Sequence, residues 1–146
     1  MITLLQRVNQ AKVTIDSQIV GKIGKGLLLY IAFEEGDDIE KIKWSINKII
    51  NLRMFSDKED KMNLSLIDVK GEIMAISNFT LPADLNESGR RPSLTKSAKP
   101  DLAENLYNQF LEECKKQNIK IASGKFGAMM DIESVADGPA NFILKR

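Results

Sequence analysis

Hydrophobic residues along the chain follow two kinds of spacing, and the first kind predicts β-strands. Three short segments rich in Ile and Val, residues 2–8, 12–16 and 18–23, are separated by polar residues, as in strands joined by hairpins. The apolar run at residues 27–33 predicts a strand buried on both faces. That run is far shorter than the roughly 20 residues that a membrane helix needs, so no membrane association is expected.

Helical spacing of apolar residues predicts two helices. Ile residues recur on one face over residues 39–50, and Asp37 with Glu40 resembles a capping box at the start of this helix. The second helix is expected over residues 101–117, with Pro100 suited to its first turn. Its apolar stripe comprises Leu102, Leu106, Phe110 and Cys114.

The remaining segments add strands and one long loop. Residues 64–69 and 72–81 predict a strand pair around a turn at Lys70-Gly71, and Pro82 ends the second strand. Residues 82–100 are mostly polar and are the best candidate for a functional loop. Three strand-like segments close the chain, at residues 119–122, 130–135 and 140–144.

Strands outnumber helices in this pattern, and short links between strands favour antiparallel pairing. We therefore predict an α/β fold with a mainly antiparallel sheet or open barrel that carries two principal helices on one face. The length of 146 residues fits a single domain over residues 1–146. The face without helices is left for a partner subunit.

Charge and residue counts narrow the chemistry. The 21 Lys and Arg residues nearly balance the 20 Asp and Glu residues, so nucleic-acid binding requires a local basic patch. The absence of His excludes a Ser-His-Asp triad and His-ligated metal sites. Cys114 is the single cysteine, which excludes an intrachain disulfide and fits a reducing, cytoplasmic setting. We expect no metal and no cofactor.

The first candidate site is Ser77-Asn78-Phe79-Thr80, which places two hydroxyls and an amide at the end of a predicted strand. Strand alternation puts Ser77 and Phe79 on one face and Asn78 and Thr80 on the other. The alternative is a strand edge whose hydroxyls bond to backbone. Thr80 as a nucleophile would need a base, and no His is present to serve.

The second candidate is Gly138-Pro139, which interrupts two strand-like segments. The pair is either an ordinary turn or a piece of bare backbone that another chain or a ligand approaches closely.

The third candidate is a basic surface. Arg90 and Arg91 are followed by Lys96 and Lys99, and four further lysines occur at positions 115, 116, 120 and 125. Together they form either one phosphate-contacting face or an ordinary solvated surface. Close by in sequence, Phe126 and Met130 offer an aromatic ring and a thioether to a flat ligand, or else pack in the core.

Eight short motifs occur in an order that resembles D-aminoacyl-tRNA deacylases, and together they span nearly the whole chain. They are Gln6-Arg7-Val8, residues 20–28, residues 51–55, residues 61–66, residues 77–81, Gly89-Arg90-Arg91-Pro92-Ser93, Phe126-Gly127-Ala128 and Asp137-Gly138-Pro139. The resemblance implies a cytoplasmic homodimer that hydrolyses the ester between a D-amino acid and the 3′-terminal adenosine of tRNA. Each motif alone is weak, whereas eight in register are specific.

The resemblance also implies roles for single residues. Ser77, Asn78, Phe79 and Thr80 line the reaction centre. Gly138 and Pro139, joined by a cis peptide bond, enter the site of the neighbouring subunit and reject L-amino acids, and Arg7 holds them in place. Phe126 and Met130 bind the terminal adenine, and Arg90 and Arg91 suit the tRNA backbone. The chain departs from the family pattern at Asn78, Ala136, Ala140 and Asn141.

Without imidazole, we expect the ribose hydroxyl beside the ester to assist hydrolysis, with backbone N–H groups near Phe79 and Thr80 stabilising the oxyanion. Covalent catalysis by Thr80 is the competing hypothesis. Glycine mischarged on tRNA is a further expected substrate, since it has no side chain to clash. A non-catalytic dimer that binds tRNA ends or nucleotides, and a generic Ser or Thr esterase, remain alternatives.

Overall fold

The computed structural model describes residues 1–86 and 89–146; Glu87 and Ser88, in the loop predicted over residues 82–100, lie outside the described residues. Eight strands and two helices occur in this part of the chain. In order, they are β1 (Ile2–Ile15), β2 (Gln18–Ile23), β3 (Gly26–Ala32), α1 (Ile39–Asn51), β4 (Phe55–Ser56), β5 (Met62–Leu64), β6 (Glu72–Ser77), α2 (Pro100–Lys115), β7 (Ile121–Ser123) and β8 (Asp131–Lys145).

The main sheet has the order β2-β1-β3-β6-β7, and β8 pairs with β1. Strand β1 is antiparallel to β2, β3 and β8, whereas β3-β6 and β6-β7 are parallel pairs. The chain between each parallel pair contains one helix, as parallel connections require. A Cβ on Gly21 of β2 would lie 3.1 Å from the carbonyl oxygen of Ser123 in β7, so the two ends of the sheet meet and nearly close a barrel. The predicted α/β architecture with a mainly antiparallel sheet is confirmed.

The two faces of the sheet bury different hydrophobic clusters. Leu27 and Leu29 of β3 pack with residues of both helices, which therefore lie on one face as predicted. Leu28 points the other way, into a second cluster inside the barrel that also holds Val8, Val13, Ile23, Met74 and Ile76. Strand β3 is thus buried on both faces, as its apolar run predicts.

Several predicted boundaries are wrong. Residues 2–8 and 12–16 belong to one strand, β1, and the last two predicted strands are one strand, β8. Residues 65–70 form a turn rather than a strand, because Asp68 Oδ2 accepts the Ser65 N–H at 2.8 Å and its hydroxyl at 2.7 Å. Local side-chain hydrogen bonds of this kind compete with strand pairing.

The helix ends also differ in detail. The N-cap of α1 is Asp38, whose Oδ1 accepts the Lys41 N–H at 2.9 Å, and not Asp37. Asp37 instead accepts the Glu34 N–H at 2.8 Å and bonds to Lys41 Nζ at 2.9 Å. Helix α2 starts at Pro100 as expected, but Leu102 is exposed while Ala103 and Tyr107 join the buried stripe.

Candidate active site

A pocket of about 450 Å³ opens where β3 and β6 end. Ile31 pairs with Ser77 in this parallel pair, so the carboxyl ends of both strands meet at the same edge of the sheet. The start of α2 and residues 94–98 close the other sides. The lining residues are Ile31, Ala32, Phe33, Ser77, Asn78, Phe79, Leu94, Ser97, Ala98, Lys99, Pro100, Ala103, Phe126 and Gly127. The largely apolar wall with a few polar groups is the usual composition of a small-molecule site.

The backbone after Ser77 turns away from the sheet. The Asn78 N–H still donates to the Ile31 carbonyl at 2.8 Å, but the Ala83 N–H then donates to the Thr80 carbonyl at 3.1 Å. The predicted alternation beyond Ser77 is therefore wrong, because β6 ends there. Ser77, Asn78 and Phe79 all line the pocket, and Thr80 lies beside it.

Asn78 holds both polar groups of Thr80. Its Oδ1 accepts the Thr80 N–H at 3.1 Å and the Thr80 hydroxyl at 2.6 Å. An amide oxygen does not take up a proton near neutral pH, so this contact does not activate the Thr80 hydroxyl. Backbone N–H groups near Phe79 and Thr80 are the expected oxyanion donors, and the Thr80 N–H already donates to Asn78. Within residues 1–86 and 89–146, the Phe79 N–H has no acceptor.

The segment before α2 is fastened to the ends of the strands. Ser97 forms an antiparallel bridge with Glu34, and the Ala98 N–H donates to the Phe33 carbonyl at 2.9 Å. The Ser97 hydroxyl donates to the Phe79 carbonyl at 2.7 Å. Sequence reasoning missed Ser97 because a serine in a polar loop has no distinguishing pattern.

Phe126 lies in the pocket wall against Tyr107. The two ring centroids are 6.1 Å apart, and the Tyr107 hydroxyl donates to the Ala75 carbonyl at 2.9 Å. Burial raises the pKa of Tyr107 to about 12, so it stays neutral and acts as a fixed support. Met130 does not border the pocket. It packs against the barrel cluster, where a Cβ on Gly124 would meet its sulfur.

Gly138 and Pro139 lie in an exposed bulge of β8, outside the pocket of their own chain. Gln6 pairs with Asn141 and Val8 with Ala136, so the single residue Arg7 faces the four residues 137–140. The Gly138-Pro139 peptide bond is cis, as the resemblance implies. We call residues 137–140 the Gly-Pro bulge.

Arg7 anchors the base of the Gly-Pro bulge. Its Nε donates to the Asp137 carbonyl at 2.9 Å and lies 3.1 Å from Asp137 Oδ2, while Nη1 donates to the Met54 carbonyl at 2.6 Å. The side chain is buried between these partners. A guanidinium suits this place because its donors form a rigid fork, and Arg7 is thus more than an ordinary surface cation.

The predicted basic surface is only partly available. Arg90 and Arg91 are exposed, and Lys99 lies at the pocket. Lys96, however, is 3.4 Å from Asp84 Oδ2, and α2 pairs its own lysines with acidic neighbours. Lys120 likewise pairs with Glu72. Four of the eight cations are therefore paired with carboxylates at the surface, and a single phosphate-contacting face stays a prediction.

The described residues contain neither a metal-binding cluster nor a membrane-spanning helix. In residues 1–86 and 89–146, no group of three or more Cys, Asp or Glu side chains is arranged to hold a metal ion. No helix in that part of the chain is long and apolar enough to cross a membrane.

Comparisons with known proteins agree on one family. Residues 4–145 match the family described as D-Tyr-tRNA(Tyr) deacylase. A D-aminoacyl-tRNA deacylase of Fusobacterium nucleatum subsp. nucleatum is 49% identical over 144 residues, which cover 99% of this chain and 95% of that protein. The D-aminoacyl-tRNA deacylase of Thermosipho africanus is 46% identical over 144 residues, covering 99% and 96% of the two chains.

Solved structures share the fold. The structure described as "c-Myc DNA Unwinding Element Binding Protein" superposes with a TM-score of 0.92 at 32% identity, covering 100% of this chain and 99% of that one. A probable eukaryotic D-amino acid tRNA deacylase has a TM-score of 0.83 at 17% identity, covering 98% of each chain. This second likeness concerns the fold alone.

Proposed function

The chain belongs to the D-Tyr-tRNA(Tyr) deacylase family, and we propose that it hydrolyses the ester bond of D-aminoacyl-tRNA, releasing tRNA and the free D-amino acid. The pocket at the ends of β3 and β6 is the observation that carries this proposal, since Ser77, Asn78 and Phe79, which lie within the family match, line it. Hydrolysis of an ester consumes only water, so the proposed reaction needs no cofactor.

In the proposed complex, the pocket holds the aminoacyl ester and the terminal adenosine. Phe126 is the proposed adenine contact, because its ring lines the pocket and Tyr107 supports it from behind. Met130 was expected to share this role, but in this structure it lies outside the pocket wall, so the proposal places the adenine on Phe126 alone.

The proposed chemistry is assisted by the substrate. Water attacks the ester carbonyl carbon, the bond to the ribose oxygen breaks, and the proton from water ends on that oxygen. The neighbouring ribose hydroxyl is held beside the carbonyl, and proximity of this kind is worth about 7–11 kcal/mol in favourable cases. The Phe79 N–H is the proposed oxyanion donor.

Two features of this chain support substrate assistance over a Thr80 nucleophile. The chain has no His to serve as base. The Thr80 hydroxyl already donates to the Asn78 amide oxygen, which is not a base. Ser77 and Asn78 then shape the pocket floor, and Thr80 supports Asn78.

Chiral selection is proposed to come from a second copy of the chain. Gly138 and Pro139 are exposed and do not line the pocket of their own chain, and Gly138 has no side chain to cover its backbone. In a homodimer the Gly-Pro bulge would enter the partner's pocket and occupy the space of an L side chain. Exposed Phe142 and Ile143 on the same strand supply apolar surface for such a contact.

Steric rejection fits the size of the effect that proofreading needs. A preference on the order of 10⁴ corresponds to about 5.5 kcal/mol. One lost hydrogen bond usually provides less, so contact with rigid backbone is the better source. Arg7 supports that rigidity through Asp137.

The tRNA is proposed to lie along the exposed Arg90 and Arg91, whose guanidinium groups suit phosphate oxygens. We also propose that the protein acts in the cytoplasm, where charged tRNA is available.

Deacylation assays test the proposal directly. Purified protein is incubated with labelled D-tyrosyl-tRNA, L-tyrosyl-tRNA and glycyl-tRNA, and loss of the ester is followed. We expect fast hydrolysis of the D-ester, hydrolysis of the glycyl ester, and persistence of the L-ester. Cleavage of small activated esters at a rate that matches the tRNA substrate would instead indicate a generic esterase.

A second candidate is a non-catalytic dimer that binds nucleic-acid ends. The 32% identical structure described as a DNA unwinding element binding protein favours it, as do the departures at Asn78, Ala136, Ala140 and Asn141. Binding of tRNA without hydrolysis of either enantiomer would select this candidate.

A further inference from the structure

Ser97 contacts the turn at the pocket from a distant part of the chain. Its hydroxyl donates to the Phe79 carbonyl at 2.7 Å, across 18 residues of sequence. The peptide unit with this carbonyl also carries the Thr80 N–H, which donates to Asn78 Oδ1 at 3.1 Å. One peptide unit is therefore held at both ends by two different segments.

Ser97 is itself held firmly. Its N–H donates to the Leu94 carbonyl at 3.1 Å, its backbone bridges Glu34, and the next N–H, of Ala98, donates to the Phe33 carbonyl at 2.9 Å. A hydroxyl on such a segment has a defined position relative to β3. Ser97 therefore ties the turn to the end of the neighbouring strand.

This arrangement determines how the Phe79 N–H is presented. The peptide unit after Phe79 is fixed by Ser97 and Asn78, and the backbone before it is fixed by the bond from the Asn78 N–H to the Ile31 carbonyl at 2.8 Å. The Phe79 N–H lies between these two anchors, on a residue that lines the pocket. A preorganised donor stabilises developing charge without a cost for reorientation at the moment of reaction.

We infer that Ser97 is a positioning residue for the hydrolytic reaction: it fixes the Phe79-Thr80 peptide unit and thereby orients the Phe79 N–H toward the oxyanion. The inference rests on the proposed function. Ser97 is not a nucleophile, because its proton is directed to a backbone carbonyl and no base accompanies it.

The test measures kcat and KM for D-tyrosyl-tRNA with four proteins: the unmodified chain, Ser97→Ala, Ser97→Thr and the control Ser93→Ala. The control makes the same Ser-to-Ala change in the same loop, but the Ser93 hydroxyl contacts Thr95 Oγ1 and not the turn. We expect kcat of Ser97→Ala to fall about 3- to 10-fold, as for one lost hydrogen bond. KM should stay within about twofold, Ser97→Thr should recover most of the rate, and Ser93→Ala should match the unmodified chain.

A double variant makes the test specific to the shared peptide unit. Because Ser97 and Asn78 hold the same unit, Ser97→Ala and Asn78→Ala together should cost less than the product of their separate losses.

Other outcomes overturn the inference. An unchanged kcat in Ser97→Ala, a rise confined to KM, or equal losses in Ser97→Ala and Ser97→Thr would each reject positioning by the hydroxyl. If Ser97→Ala does not fold, Ser97→Thr and Ser97→Gly give the same comparison with and without the hydroxyl. Inactivity of the unmodified chain toward D-tyrosyl-tRNA would reject the proposed function itself, and so is distinguishable from these results.

Discussion

The turn after β6 and the Gly-Pro bulge of β8 are built in opposite ways. In the turn, polar groups are bonded within the same chain: Asn78 Oδ1 accepts two bonds from Thr80, and Ser97 holds the Phe79 carbonyl. The bulge exposes its glycine and proline, and Arg7 holds its base through Asp137. The first segment completes a pocket, whereas the second has no pocket of its own to complete.

This contrast separates two tasks that the proposed reaction requires. Under the proposed function, the self-contained turn would set the rate of hydrolysis within one chain, and the outward-facing bulge would act on a second chain. Substitutions in the turn should therefore change the rate for D-esters, and substitutions in the bulge should change the discrimination between D- and L-esters. The following experiments are arranged by the expected size of the effect.

Arg7→Met should have the largest effect. It keeps an unbranched apolar stem but removes the bonds to Asp137 and Met54, which leaves a buried carbonyl without its donor. We expect a loss of about 3 kcal/mol in the free energy of unfolding, measured in urea, because bonds to a buried charged group are costly to break. The folded fraction should also hydrolyse L-tyrosyl-tRNA faster. Selectivity unchanged in folded Arg7→Met would show that the bulge does not depend on its anchor.

Gly138→Ala tests the bulge directly. A Cβ on Gly138 would lie 2.2 Å from the Ala140 nitrogen, so the backbone must shift. Strain of this kind costs about 1–3 kcal/mol in the free energy of unfolding. The shifted backbone should also lower the ratio of D- to L-ester hydrolysis several-fold, measured with D- and L-tyrosyl-tRNA.

Gly124→Ala would be a poor control for this variant, because it too would clash, with Met130. Gly36→Ala is better, since the space around Gly36 is open and this glycine lies outside the pocket, although its φ of +83° costs some stability. If Gly138→Ala and Gly36→Ala both retain full selectivity, the bulge does not select chirality.

The outcome for the sequence predictions follows the same division. Two hydroxyls and an amide ahead of Pro82 locate the turn in the sequence. They do not predict its geometry, because β6 ends at Ser77 and Thr80 then bonds to Asn78. Ser97 could not be found, since its importance depends on the approach of residues far apart in sequence. The sequence predicts a hairpin for β6, whereas the strand pairs in parallel with β3 and β7. Pairing between segments so far apart leaves no local signal in the sequence.

The position of the bulge can be predicted from Gly138-Pro139, but the continuity of the strand around it cannot. Gly138-Pro139 is visible as an interruption between two strand-like segments, yet the single strand β8 passes through it, because β1 pairs on both sides of the interruption. The thioether of Met130 suggests an adenine contact, but the side chain packs against the barrel cluster instead. An apolar side chain near a site is more strongly placed by packing than by a ligand that arrives later.

Thr80→Val distinguishes assistance by the substrate from covalent catalysis within the turn. It removes the hydroxyl that donates to Asn78 but keeps the Thr80 N–H. Loss of one such bond costs about 1 kcal/mol, so kcat for D-tyrosyl-tRNA should fall by less than about tenfold and selectivity should stay the same. A nucleophile would be lost altogether, and a fall of roughly 10³-fold or more would show that Thr80 attacks the ester.

Replacement of Arg90 and Arg91 by Ala should give the smallest change, and it concerns neither the turn nor the bulge. Each phosphate contact on a single strand contributes about 0.7 to the slope of log affinity against log salt concentration. We therefore expect the double variant to weaken tRNA binding a few-fold at low salt, with a slope shallower by up to about 1.4 and no change in selectivity. Lys116→Ala is the control, because Lys116 is exposed but paired with Glu113 near the far end of α2. Equal salt slopes for the double variant and for Lys116→Ala would show that the tRNA does not contact Arg90 and Arg91.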